Sequence, residues 1–343
     1  MPELRKNHIT TGWNIIASER GKRPNDYRRQ PDKKEESDCP FCEGHEQETP
    51  LEVFALRTDG SQPNKPGWRV RVVPNKFPAL SLEGKAVLKQ EGLFNWIPGV
   101  GRHEVVVDTP RHDGFINKLS DEELKDVLVT LKLRILDAQK DPGLKYVQIF
   151  KNYGPEAGAS RIHPHTQLIA LPVVPQTIRD ELLTAYEYFQ ETEHCLFCDT
   201  IQQEKEKKLR IVSENDAFIC FAPFSSRVPF ELHILPVSHY ANYEHTDEEE
   251  LFSLAQILKS TITTLKKVLK DPPYNLLIHT APHCAVAKID PKVACNCYHW
   301  HIEILPVLTR IAGFELGTGM FINPTPPEIA AKYLRESNEN STI

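Results

Sequence analysis

The sequence predicts an α+β fold made of two similar halves, each with a mainly antiparallel sheet and one long helix. Three observations lead to this prediction. Several short motifs occur twice in the same order, each series contains one long amphipathic segment, and the other apolar runs have the length and composition of strands. We place the boundary between the halves after residue 175, which gives an N-terminal half of 1–175 and a C-terminal half of 176–343.

Each half begins with a Cys-x-x-Cys pair, which is followed by a strand and a histidine. The pairs are CPFC at 39–42 and CLFC at 195–198. The strand segments are EVVVDTPRH at 104–112 and ELHILPVSH at 231–239, so that in both a Glu starts an apolar run and a His follows eight residues later.

A long helix comes next in each half. SDEEL at 120 and TDEEEL at 246 have a polar N-cap and acidic residues in the first turn, which complement the helix dipole. Apolar residues continue at helical spacing, from Leu124 to Leu131 and from Leu251 to Leu265. The similar segments KDPGLKYVQIFKN at 140–152 and KDPPYNLLIHTAP at 270–282 then stop each helix at a proline and begin another strand.

The last repeated element is a strand with two histidines, HPHTQLIALPVV at 163–174 and HWHIEILPVL at 299–308. Successive side chains of a strand point to opposite faces, so His163, His165 and Gln167 share one face. This arrangement is compatible with a metal pair, a catalytic pair, or one residue of each kind.

The composition is that of a globular protein without a nucleic-acid or membrane partner. The 343 residues carry a formal charge of −6 and no long basic block. No apolar run reaches the roughly 18 residues of a membrane span, and the first residues do not resemble a signal peptide. We therefore expect a cytoplasmic protein, in which close pairs of its eight cysteines are better interpreted as metal ligands than as disulfides.

The repeat assigns two sets of metal-competent residues, each with two cysteines and two histidines. They are Cys39, Cys42, His112 and His163 in the first half, and Cys195, Cys198, His239 and His299 in the second. Two thiolates and two neutral imidazoles form a standard closed zinc shell, so we expect two Zn²⁺ ions per chain, with iron as an alternative at the second site.

Other interpretations of these residues remain open. A Cys-x-x-Cys pair can also be a redox dithiol or two ordinary buried thiols. The segment 283–297 contains a rival cluster of His283, Cys284, Cys295 and Cys297, which we interpret as a loop. His279 and His301 could form a histidine-rich second site if the CLFC thiols did not bind a metal.

If His163 binds a metal, His165 is free to act as a nucleophile. Neutral imidazole is nucleophilic near neutral pH and needs no separate base. The preceding loop, 151-KNYGPEAGASR-161, has two glycines and small residues at 159 and 160, which let backbone N–H groups approach a phosphate. The histidine and the loop together indicate phosphoryl or nucleotidyl transfer.

The run FKNYGPEAGASRIHPHTQ at 150–167 resembles the signature of the galactose-1-phosphate uridylyltransferase family, within the histidine triad superfamily. CPFC, PNKFPAL at 74–80, TPRH at 109–112 and GFELGTGMFIN at 313–323 resemble this family too, so the resemblance covers nearly the whole chain. It implies two histidine-triad-like halves and a homodimer.

The resemblance also implies a double displacement on a nucleotide sugar. His165 attacks the α-phosphorus, sugar 1-phosphate leaves, and a second sugar 1-phosphate or inorganic phosphate accepts the nucleotidylyl group. Gln167 and Ser160 would assist catalysis. The substrate-binding positions that the resemblance implies are Asn75, Asn152, Gly158, Ala159, Phe314 and Glu315, the last two in the neighbouring subunit's site.

Departures from the common pattern leave several activities open. Lys76 stands where many uridylyltransferases have an acid, and CLFC and LGTGMFIN are closer to a subgroup that includes plant-type ADP-glucose phosphorylase. The leading hypothesis is UDP-glucose:galactose-1-phosphate uridylyltransferase activity, in galactose metabolism. The alternatives are ADP-glucose phosphorolysis, a dinucleoside-polyphosphate hydrolase or phosphorylase, and a zinc-stabilised nucleotide-binding protein without turnover. We expect the second HxH strand, with Glu303 in place of Gln167, to be structural.

Overall fold

A ten-stranded sheet extends through both halves of the chain. The structure is a computed structural model, and it describes residues 3–16, 39–57, 60–287 and 289–339. The strands are β1 (Glu3–Lys6), β2 (Trp13–Ile16), β3 (Phe54–Arg57), β4 (Trp68–Pro74), β5 (Lys89–Glu91), β6 (Phe94–Trp96), β7 (Arg102–Val107), β8 (Tyr146–Tyr153), β9 (His165–Leu171), β10 (Ile211–Glu214), β11 (Phe218–Phe221), β12 (Leu232–Pro236), β13 (Tyr274–His279), β14 (His301–Pro306) and β15 (Ile322–Asn323). The helices are α1 (Asp121–Ala138), α2 (Gln176–Thr192), α3 (Leu196–Lys207), α4 (Glu248–Leu269), α5 (Pro291–Cys297), α6 (Gly313–Thr318) and α7 (Pro327–Glu339).

The strand order of the large sheet is β10-β11-β12-β14-β13-β8-β9-β7-β4-β3, and all its pairings are antiparallel. The five strands of the N-terminal half, β3-β4-β7-β9-β8, thus have the same relative order as β10-β11-β12-β14-β13 of the C-terminal half, and the two sets run inward from opposite edges of the sheet. The two halves meet where β8 pairs with β13, from Tyr153 opposite Tyr274 to Ile149 opposite Ile278. The predicted α+β fold with a mainly antiparallel sheet is confirmed.

Helices α1 and α4 cover one face of this sheet and contact each other. Their predicted apolar faces are buried in one core cluster that includes Leu124, Leu131, Leu258 and Leu265. Trp300, between the two histidines of the second HxH motif, is fully buried in the same cluster. Because side chains alternate along a strand, the flanking histidines point to the opposite face of the sheet.

Both predicted helix starts are confirmed as capping boxes. The Ser120 hydroxyl accepts a hydrogen bond from the Glu123 backbone N–H, and the Glu123 carboxylate accepts one from the Ser120 N–H. In α4 the cap is Asp247, one residue after Thr246, with Glu250 as its partner. Both helices end a few residues before the prolines that follow them.

Replacing Ser120 with alanine is expected to lower the free energy of unfolding by about 1 kcal/mol. The substitution removes the acceptor for the Glu123 N–H, and Ser120 belongs neither to the metal-competent clusters nor to the lining of the cleft. Urea unfolding of the variant and of Lys140→Ala, a surface control just beyond the same helix, would measure the difference. An equal midpoint for both variants would contradict the capping role.

Five of the helices that the structure describes were not predicted from the sequence: α2, α3, α5, α6 and α7. Helix α2 buries Ile178, Leu182, Ala185 and the carboxylate side chain of Glu181. It packs with α3 and α5 in a second apolar cluster next to the C-terminal strands. Among the residues that the structure describes, no helix is both long and apolar enough to cross a membrane.

Candidate active site and metal clusters

The four residues predicted as the first metal site lie together in the structure. One sulfur or nitrogen atom from each of Cys39, Cys42, His112 and His163 lies within 4.8 Å of all the others. The cysteines come from a tight turn in which the Cys42 N–H donates to the Cys39 carbonyl. Cys42 Sγ lies 3.4 Å from His112 Nδ1 and 3.5 Å from His163 Nδ1.

The hydrogen bonds of His163 leave the correct nitrogen available for a metal. Its Nε2 lies 2.8 Å from the Thr109 carbonyl oxygen, so Nε2 carries the hydrogen and donates it. Nδ1 then presents its lone pair to the cysteine side. Burial lowers the pKa of His163 to about 4, which keeps the ring neutral. The donor set and the orientation of this ring fit a zinc ion.

The second predicted set has the same arrangement. One ligand atom each from Cys195, Cys198, His239 and His299 falls within the same 4.8 Å limit. His299 Nε2 donates to the Pro236 carbonyl at 3.0 Å, and its Nδ1 lies 3.6 Å from Cys198 Sγ. His239 is held in the same way, with Nε2 donating to a backbone carbonyl of α5 at 2.8 Å.

A third cluster lies beside the second set and is completely buried. It consists of Glu181, His279, His301 and Glu303, so the two histidines that the sequence left as an alternative site are grouped with carboxylates and not with thiols. His279 Nδ1 lies 3.1 Å from Glu181 Oε1. Burial alone would raise the pKa of Glu303, but the Arg227 guanidinium at 2.7 Å and the nearby histidines lower this pKa well below its usual range.

The rival segment 283–297 does not assemble a metal-competent group of three or more residues within the described part of the chain. Two of its cysteines, Cys295 and Cys297, lie on the short helix α5, so the prediction of a loop is wrong for the last part of this segment. The interpretation of this segment as a metal site is therefore not supported, while the Cys295 carbonyl supports the second cluster by accepting from His239.

His165 lies in the wall of a cleft of about 540 Å³, a volume typical of small-ligand sites. Its Nδ1 lies 2.8 Å from the His163 carbonyl oxygen, so Nδ1 carries the hydrogen and Nε2 keeps the lone pair. Burial, and secondly the charge of Lys151, lower the pKa of His165. The ring is therefore neutral near neutral pH and has one nucleophilic nitrogen.

The strand that carries His165 is fixed from behind by a buried ion pair. Lys151 Nζ lies 2.5 Å from Asp108 Oδ2 and 2.9 Å from the His165 carbonyl oxygen. The other oxygen of Asp108 accepts from the Thr166 hydroxyl at 3.0 Å. Both charged side chains are less than 5% exposed, so they hold the backbone at His165 without reaching the cleft. Sequence reasoning missed this pair.

The glycine-containing loop folds against the other half of the protein. Gly154 and Gly158 have φ values of 84° and 87°, which side chains rarely adopt, and a Cβ at Gly154 would lie 2.8 Å from Pro273. Asn275 of β13 donates to the Asn152 side-chain oxygen at 2.9 Å and to the Ala157 carbonyl at 2.8 Å. The C-terminal half therefore helps to fix the loop of the N-terminal half.

The other predicted site residues are placed in three different ways. Asn75, Ser160 and Gln167 line the cleft together with His165, and Lys76 and Arg161 add positive charge there. Asn152, Gly158 and Ala159 are not among the residues that line it. Phe314 and Glu315 lie on the short helix α6, also outside the cleft of their own chain. The substrate roles of all these residues remain predictions.

Known proteins and family models match this chain over nearly its whole length. The family model described as "Galactose-1-phosphate uridyl transferase, N-terminal domain" matches residues 1–175, and "Domain of unknown function (DUF4921)" matches residues 118–339. An ADP-glucose phosphorylase from Arabidopsis thaliana is 38% identical over 341 residues, covering 98% of this chain and 93% of the relative.

Two further comparisons extend this similarity. A galactose-1-phosphate uridylyltransferase from Thermotoga maritima is 30% identical, covering 98% of this chain and 99% of the relative. The crystal structure of an ADP-glucose phosphorylase from Arabidopsis thaliana with bound ADP-glucose superposes with a TM-score of 0.81 at 35% identity, covering 98% of this chain and 99% of that one.

Proposed function

Because the chain belongs to the galactose-1-phosphate uridylyltransferase family, whose members include ADP-glucose phosphorylase, we propose that it transfers the adenylyl group of ADP-glucose to inorganic phosphate through His165. The chain is a nucleotidyltransferase that acts on hexose 1-phosphates. The observation that carries our proposal is the neutral His165 ring in the cleft wall, with Nδ1–H held by the His163 carbonyl and Nε2 available.

In the first displacement, the Nε2 lone pair of His165 attacks the α-phosphorus of the nucleotide sugar. The bond from this phosphorus to the bridging oxygen breaks, and glucose 1-phosphate leaves with the bond's electron pair. The backbone bond to Nδ1–H stays in place, and it stabilises the positive charge that develops on the ring.

In the second displacement, an oxygen of inorganic phosphate attacks the same phosphorus. The phosphorus–nitrogen bond breaks, ADP forms, and Nε2 regains its lone pair. Gln167 and Ser160 line the cleft beside His165 and would donate hydrogen bonds to the phosphate oxygens in both steps. The cations Lys76 and Arg161 would attract the anionic acceptor.

We assign a structural role to the metal clusters. Zn²⁺ fits both sets, held by Cys39, Cys42, His112 and His163 and by Cys195, Cys198, His239 and His299, with iron as an alternative at the second. A closed four-ligand ion supplies a crosslink between distant segments. Here the first set joins the CPFC turn to His112, in the turn after β7, and to His163, just before β9, and so supports the position of His165.

The second candidate is the uridylyl transfer from UDP-glucose to galactose 1-phosphate. It is favoured by the Thermotoga maritima relative, which this chain matches over its full length. The same nucleophile serves both reactions, and they differ only in the base and the acceptor. We prefer ADP-glucose because the Arabidopsis thaliana phosphorylase has the higher identity. In either reaction we propose a homodimer in which Phe314 and Glu315 approach the neighbour's cleft.

Mass spectrometry of the intact protein after mixing with either nucleotide sugar tests this proposal. With ADP-glucose and no acceptor, we expect an AMP adduct on His165 and the release of one glucose 1-phosphate per site. Adding inorganic phosphate should remove the adduct and produce ADP. A UMP adduct from UDP-glucose, discharged by galactose 1-phosphate and not by phosphate, would instead support the second candidate. Tight nucleotide binding with no adduct from either sugar would contradict both reactions.

A further inference from the structure

Three polar side chains meet at the wall of the cleft, and the one in the middle is His103 of β7. His103 Nε2 lies 2.9 Å from Gln167 Oε1 and 3.1 Å from Asn75 Nδ2. On the other side of the ring, Nδ1 lies 3.1 Å from the Ala79 backbone nitrogen. Gln167 and Asn75 line the cleft, whereas His103 does not.

The backbone of the adjacent loop determines which nitrogen of His103 carries the hydrogen. The Ala79 N–H can only donate, so Nδ1 must accept and cannot carry a hydrogen. The neutral ring therefore has its hydrogen on Nε2. The Asn75 backbone N–H also donates to the His103 carbonyl at 2.8 Å, which fixes the loop and the strand to each other.

This tautomer fixes the orientation of the Gln167 amide. Nε2–H of His103 donates to Oε1 of Gln167, so the NH₂ group of this amide points away from His103. Within the described part of the chain, this NH₂ group donates to no other residue, so it is available to a ligand. A rotated amide would place its NH₂ group against Nε2–H, donor against donor, and is therefore disfavoured.

Asn75 lies on the other side of the same nitrogen. Its Oδ1 accepts from the Phe77 backbone N–H at 2.9 Å, and its NH₂ nitrogen lies 3.1 Å from His103 Nε2. Because Nε2 carries a hydrogen, this contact sets donor against donor and gives Asn75 no orientation. Gln167 is therefore the amide that His103 orients.

We propose that His103 is a positioning residue that presents the amide NH₂ group of Gln167 as a donor to an anionic phosphate oxygen in the cleft. This inference deepens the proposed function and rests on it. His103 acts through this amide and does not touch the substrate. Donors that are oriented before the reaction need no reorganisation as negative charge develops on the phosphate oxygens.

The test measures the single-turnover release of glucose 1-phosphate from ADP-glucose and from UDP-glucose. We expect His103→Phe, which keeps the ring shape but removes the donor, to slow this step about 10- to 100-fold. In the Gln167→Ala background the same replacement should have less than about a twofold further effect, because the amide that His103 orients is gone. A general packing defect would instead slow both backgrounds by the same factor, and that result would overturn the inference.

A second pair of variants keeps the test independent of the folding of His103→Phe. His103→Gln can place an amide NH₂ near the position of Nε2 and should recover much of the rate. His103→Asn is too short to reach Gln167 and should not. Equal rates for the two variants would overturn the inference. Wild-type protein that forms no His165 adduct with either sugar would instead contradict the proposed function, so the two failures are distinguishable.

Discussion

Replacement of His165 with alanine is expected to lower nucleotidylyl transfer by at least about 10⁴-fold, while the metal content stays that of the wild type. The second HxH histidine at the related position, His301, cannot take over, because it is only 1% exposed. The ligand atoms of the first metal cluster come from other side chains, so the loss of this ring leaves all four in place. Initial rates and metal analysis of the same preparation would measure both quantities.

The matched control for this variant is His245→Ala, which removes an exposed histidine from the turn before α4. It should retain wild-type activity, metal content and melting temperature. If the His165 variant kept more than about a hundredth of the wild-type rate, or lost metal as well as activity, the division of roles between the two histidines of the motif would be wrong.

Replacement of His163 with alanine, two residues before His165, is expected to act mainly on metal content and stability. The variant should lose most of the metal from the first cluster and more than about 4 kcal/mol of the free energy of unfolding, because an incomplete shell binds its ion far more weakly. Its activity should fall as a secondary consequence. Metal analysis together with chemical unfolding measures the effect.

The second cluster offers an internal control for this result. His299→Ala should remove metal from the other site and leave the first site loaded, so each single variant should retain about half of the wild-type metal. Equal metal content in the wild type and in the His163 and His299 variants would contradict the assignment of these histidines as ligands. Separate titration of each variant with Zn²⁺ would identify the site that was lost.

The sequence was sufficient to predict the elements that occur once in each half of the repeat. CxxC, the lone histidine and the HxH strand follow one another in the same order in both halves, although the distances between them differ, and this shared order grouped each set of four residues. The α1 and α4 segments were predictable because their N-caps and their apolar spacing are local signals, with Ser120 and Leu124 within one turn of each other.

The elements that were missed depend on partners that lie far away in sequence. Lys151 and Asp108 read as ordinary polar residues within strands, and only the pairing of β7, β8 and β9 places them together under His165. His103 likewise meets Gln167 only across the β7–β9 ladder. Helix α2 was missed because no copy of it exists in the first half, and Glu181 was missed with it.

The central pairing of β8 with β13 has a consequence for the protein during its synthesis. Strand β8 ends at Tyr153, whereas its partner begins at Tyr274, so about 120 residues must be added before this pair can form. At typical elongation rates, this interval lasts roughly 6–24 s. Throughout it, the ribosome-bound chain carries the strand that begins at His165 next to an open strand edge, which is a template for pairing with other chains. The need for chaperones should therefore be greatest after β8 has been synthesised and before β13 is available to pair with it.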